Sequence, residues 1–223
     1  MRAFLATSVT HRRLVLSAAV FLVLAARETA AQPDLDAINW VGRHYDACLA
    51  RRFPGHEEMF ESPLDNQATV TLRASDDCAF ERQVTIFEEP GGAVKAEVSA
   101  LDGVSLDDQM IAIHTAQRTL NPADVCARVK VRSFQPAGEE ARRVAEAFRK
   151  LKEMRAPVIP AVITRIHGTR YDLWLSAGEV SSHLTFTGAT EGAQEPDEPL
   201  AAWAYSLLKS LGLACTPHQA GPH

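Results

Sequence analysis

Apolar residues recur along this chain with two alternating periods. From Asp34 to about Arg52 they fall at helical spacing, as Ile38, Val41, Tyr45 and Cys48. Asp34 or Asp36 can cap that helix, and Phe53-Pro54-Gly55 stops it. From Ala68 the period shortens to two. Ala68 to Arg73 places Val70 and Leu72 on one side, Ala79 to Phe87 pairs Val84 with Ile86, and Ala93 to Ala100 sets Val94, Ala96 and Val98 against Lys95, Glu97 and Ser99. Glu89-Pro90-Gly91-Gly92 is a turn between the last two, so the segment reads as an antiparallel meander with one wet face.

The order then repeats. A helix runs from Ser105 to about Leu120, opened by a near capping box with Asp108 and ended or interrupted by Asn121-Pro122. A short strand, Arg128 to Phe134, follows. Glu139 to Arg155 is the clearest helix, with Val144, Phe148 and Leu151 in one stripe between charged faces. A second meander is expected from Ala161 to Ile166, Tyr171 to Leu175 and Ser182 to Thr187, with His167-Gly168 as its first turn. The last helix, Glu198 to Leu211, carries Leu200, Trp203, Leu207 and Leu211, and Gly212 stands where a glycine terminates a helix. Two meanders and four helices make an α+β fold: one antiparallel sheet covered by helices, or two lobes of about 32–134 and 139–216. Strict β-α-β alternation is missing, which disfavours a doubly wound parallel sheet.

The first 31 residues follow a different grammar. Arg2, Arg12 and Arg13 precede the apolar run Leu14 to Ala26, and small residues follow up to Ala31. That is the pattern of a secretory signal peptide, and the run is too short to span a bilayer comfortably as a helix. Arg12-Arg13 leaves the general and twin-arginine export routes both open. Cleavage after Ala31 leaves a domain over 32–216, a tail over 217–223, and no segment for stable membrane insertion. The chain lacks an N-x-S/T acceptor beyond residue 31, which with the signal points to a periplasmic or secreted protein of a bacterial envelope.

Charge and cysteines narrow the picture further. The formal net charge is −5, so a nucleic-acid partner is disfavoured. Cys48, Cys78, Cys126 and Cys215 all lie beyond the signal, and an even count in an exported chain reads as two disulfides of open connectivity. There is no CxxC, no HExxH around His56-Glu57-Glu58 and no GxSxG. His44 and Cys48 share a helix face, but two ligands do not make a metal site. No cofactor is called for. Arg128, Lys130 and Arg132 alternate with Val129 and Val131, as in a basic stripe that protects an edge strand.

One constellation stands out. If Tyr171, Leu173 and Leu175 meet the helices with Leu184 and Phe186, the opposite sheet face carries Arg170, Asp172 and Trp174 beside His183 and Thr185. Arg165 joins them across the His167-Gly168 turn. A tryptophan among arginine, aspartate and histidine suits stacking plus hydrogen bonding, hence a non-enzymatic module binding a small molecule or an envelope protein. The alternatives are a small-molecule hydrolase with His114, Asp172 and His183 as acid and base, or a secreted inhibitor using the loop His56 to Asn66.

Overall fold

The computed structural model describes residues 34–54, 68–76, 80–154, 169–177, 180–188 and 199–214. The expected signal peptide, the inhibitor loop, Arg165, Cys78, Cys215 and the tail lie outside them. The chain divides into two compact units between Trp40 and Val41. Of the first, the described part is the start of helix α1 (Leu35–Arg52), where the Asp34 carboxylate accepts from the Asp36 and Ala37 amides at 3.1 and 3.2 Å. Everything below concerns the second unit.

Its centre is one six-stranded antiparallel sheet in the order β4-β3-β2-β1-β5-β6. The strands are β1 (Thr69–Ser75), β2 (Arg82–Glu88), β3 (Val94–Leu101), β4 (Val131–Phe134), β5 (Thr169–Ala177) and β6 (Val180–Gly188). Strands from both halves of the chain meet where β1 pairs with β5. The β2–β3 hairpin turns where foreseen: Gly91 and Gly92 take φ of 112° and 85°, values that side chains with a Cβ rarely adopt.

Strand alternation sorts the sheet into two unlike faces. On one face the register aligns Val98, Val84, Leu72, Leu173 and Leu184 across five strands. Helices α4 (Gly138–Glu153) and α5 (Pro199–Ser210) cover this face through Val144, Phe148, Leu200, Trp203 and Leu207, and all of these residues belong to or pack against one apolar cluster. Each such side chain contributes about 1.5–3 kcal/mol when fully buried. The Trp203 indole N–H donates to the Ala147 carbonyl at 2.8 Å, tying the two helices together without an unsatisfied donor. Gly212 ends α5 at φ 67°, which lets the Leu213 amide reach the Leu208 carbonyl at 2.8 Å.

A smaller apolar group gathers around α1, α2 (Leu106–Ala116) and α3 (Pro122–Arg128), with Val41, Phe53, Leu106, Met110 and Val125 buried. The Cys48–Cys126 disulfide clamps α1 to α3 across 78 residues of chain. Its formation removes Cys48 from the His44 pair as a metal ligand and leaves Cys78 and Cys215 as the one remaining cysteine pairing. The Tyr45 hydroxyl donates to the Glu81 carboxylate, and Arg52 donates to the Val129 carbonyl at 3.1 Å, so the helices also grip the ends of strands. Burial first, and then the Glu81 carboxylate, push the Tyr45 phenol up.

Two local expectations change. Asn121-Pro122 starts a helix as well as ending one: Asn121 caps α3 by accepting from the Asp124 amide at 2.9 Å, with Pro122 in the first turn. The helices in the described residues are therefore five. Because α3 consumes Arg128 and β4 begins at Val131, the basic stripe reduces to Arg132 on a four-residue strand, which does sit at an edge of the sheet. The expected strand Ala161 to Ile166 and its turn at His167-Gly168 lie outside the described residues. No helix among the described residues is long and apolar enough to cross a membrane.

Candidate functional site

The second sheet face is polar. One row across all six strands reads Ser133, Ser99, Gln83, Arg73, Asp172 and Thr185; the next reads Glu97, Thr85, Thr71, Trp174 and His183. The register that puts leucines in line on the covered face puts these groups in line on the other, since the side-chain period of a strand is two.

Asp172, Trp174 and His183 come together as the alternation predicted, with Arg170 at the end of the group. The Trp174 and His183 rings stack with centroids 4.5 Å apart and planes 3° from parallel. The Arg73 guanidinium lies 4.9 Å from the Trp174 ring centroid. A guanidinium, an indole and an imidazole thus form a stack carried by β1, β5 and β6. Such contacts contribute about 0.5–1.5 kcal/mol each, enough to fix ring orientation but not to hold a fold.

Asp172 anchors this stack from below. Its Oδ2 accepts from Arg73 Nη2 at 3.2 Å and its Oδ1 accepts from the Thr185 hydroxyl at 2.7 Å. Arg170 Nη2 and His183 Nε2 each stand 3.5 Å from the same Oδ1, beyond good hydrogen-bond geometry but within ion-pair range. Burial alone pushes the Asp172 carboxyl up. The Thr185 hydroxyl and the Arg170 and Arg73 guanidinium groups outweigh it and hold the carboxyl below its ordinary range.

Exposure separates the members. The Asp172 side chain is 7% exposed and Arg73 16%, whereas His183 is 46% and Arg170 63% exposed. The sequence placed Asp172 on an outward face, and the structure puts it in the floor instead. Arg73 was missed. Nothing in its own strand marks it, because the β1–β5 pairing that brings it under Trp174 joins residues 99 apart.

The floor continues onto β2. Thr71 and Thr85 are buried with their hydroxyls 3.4 Å apart, and the Gln83 amide nitrogen lies 3.5 Å from the Thr85 hydroxyl. Gln83 is 5% exposed, and among the described residues its Oε1 has no hydrogen-bond partner.

Asp172 and His183 form an orienting pair, and the Thr185 hydroxyl donates to Asp172. His114 lies on α2. Among the described residues no cluster of three or more metal-ligating side chains occurs. No protein-family model, no curated protein and no solved structure matches this chain.

Proposed function

We propose that this protein is a non-enzymatic binding module of a bacterial cell envelope, exported by the segment 1–31, and that it recognises its ligand with the polar sheet face around Trp174. The observation that carries the reading is the Arg73–Trp174–His183 stack standing on a buried, fully engaged aspartate. Aromatic and cationic surface held rigid by hydrogen bonds beneath it is what a preorganised recognition site requires. Arg170 extends the same surface. The Cys48–Cys126 disulfide supports an oxidising compartment, where such bonds persist. A second bridge, Cys78–Cys215, belongs to the same reading; alkylation before and after reduction should differ by four labels, and a difference of two would remove it.

Native mass spectrometry tests the function. Protein purified gently from its own compartment should carry a non-covalent adduct that the Trp174→Ala variant lacks. Bare polypeptide from both, or the same adduct on both, would count against a site at this face.

A further inference from the structure

Resting on that reading, we infer that the site recognises an organic anion with a flat face, a carboxylate attached to a planar ring system. Charge supplies the first reason. Arg73, Arg170 and, when protonated, His183 surround a single carboxylate, so the group is cationic although the whole chain carries −5. A local excess of that sign in an acidic protein attracts an anion and repels a cation.

Geometry supplies the second. Asp172 is buried and both of its oxygens are engaged, so it cannot itself meet a ligand; it acts as a positioning residue. Arg170 Nη2 and His183 Nε2 each stand 3.5 Å from one oxygen of Asp172, and the register puts them on opposite sides of that residue. A ligand carboxylate therefore meets the exposed Arg170 fork beside Asp172, with His183 on the far side of the same group. Arg170 is more than half exposed, and its long contact to Asp172 leaves the rest of the guanidinium fork open for two parallel N–H···O bonds.

The flat face follows from the stack. Trp174 covers one side of the His183 ring, and β6 is the last strand of the sheet among the described residues. A planar ring laid against the other side of His183 continues the series guanidinium, indole, imidazole.

The test uses small probes and the NMR signals of the Trp174 indole N–H and the His183 ring, assigned by the Trp174→Phe and His183→Asn variants. Benzoate should shift both signals saturably, and neutral benzamide, cationic benzylamine and acetate, which lacks the ring, should bind about tenfold more weakly or worse. Arg170→Gln should weaken benzoate about tenfold or more and leave benzamide unchanged. Benzamide or benzylamine binding as well as benzoate would overturn the anion and leave the binding face standing. Acetate binding as well as benzoate would overturn the planar ring. If none of the four moves either signal, the inference and the proposed site fall together.

Discussion

Two aspartates with buried side chains, one on each side of the same sheet, each accept from an arginine and a threonine and differ in what stands above them. Asp76 pairs with Arg82 and accepts from the Thr169 hydroxyl at 2.9 Å, on the side covered by α4 and α5. Asp172 pairs with Arg73 and accepts from Thr185 at 2.7 Å, on the polar side. In the first group arginine and aspartate are 1% and 4% exposed, and Arg82 also donates to the Phe80 carbonyl at 2.7 Å. In the second, the Arg170 guanidinium and the His183 imidazole stand over the carboxylate in contact with solvent. The sealed pair holds strands together and has no surface to offer. The open one carries a second guanidinium, Arg170, that reaches solvent. Identical local chemistry therefore serves architecture in one place and suits recognition in the other, and the difference lies in what covers it.

Breaking the sealed group should have the largest effect. Arg82→Ala leaves Asp76 buried without its cation and should destabilise by about 3–5 kcal/mol in urea unfolding. A loss below 1 kcal/mol would show that the pair is not the architectural one.

Asp172→Asn should lose less, about 1.5–3 kcal/mol, because Thr185 and Arg73 then face a neutral acceptor. The change also has a pH signature. The folded-state carboxyl is held below its ordinary value of 3.8, so its contribution is complete above that value and disappears as pH falls through the lower folded-state value. The stability difference between wild type and Asp172→Asn should shrink as pH is lowered through that acid window. A difference that stays constant from neutral pH to acid would contradict the arrangement.

Trp174→Ala sits at the small end for stability, about 1 kcal/mol, since it removes one ring stack and one cation–π contact. Its effect on ligand occupancy should be complete, as read by native mass spectrometry. The reverse outcome, a large loss of stability with occupancy intact, would make the stack a structural device.

Much of this comparison was legible before any coordinates, and the reasons are local. Alternation alone puts Leu173 and Asp172 on opposite faces, and it did so correctly for Trp174 and His183 because β5 and β6 are regular and adjacent in the chain. Helical periodicity likewise found α4 and α5, whose stripes lie in the core, and α1, of whose stripe Val41 and Cys48 are buried and Ile38 is exposed. Helix α3 was hidden because Asn121-Pro122 serves equally as a stop and as a start, and a seven-residue helix leaves too short a period to detect. The place of β1 beside β5, and with it Arg73, could not be read: sequence patterns give a strand its faces but not its neighbours. Burial of Asp172 follows from that same unseen pairing, since an aspartate becomes part of a floor only once an arginine and a threonine close over it from both sides.

Arg170→Gln tests most directly whether the cations over Asp172 belong to a site or to the scaffold. Arg170 is the most exposed charged member of the group, so its replacement should leave unfolding free energy within about 0.5 kcal/mol of wild type while benzoate binding weakens about tenfold. Unchanged binding accompanied by a loss of stability approaching that of Arg82→Ala would contradict the account and make both aspartate groups architectural.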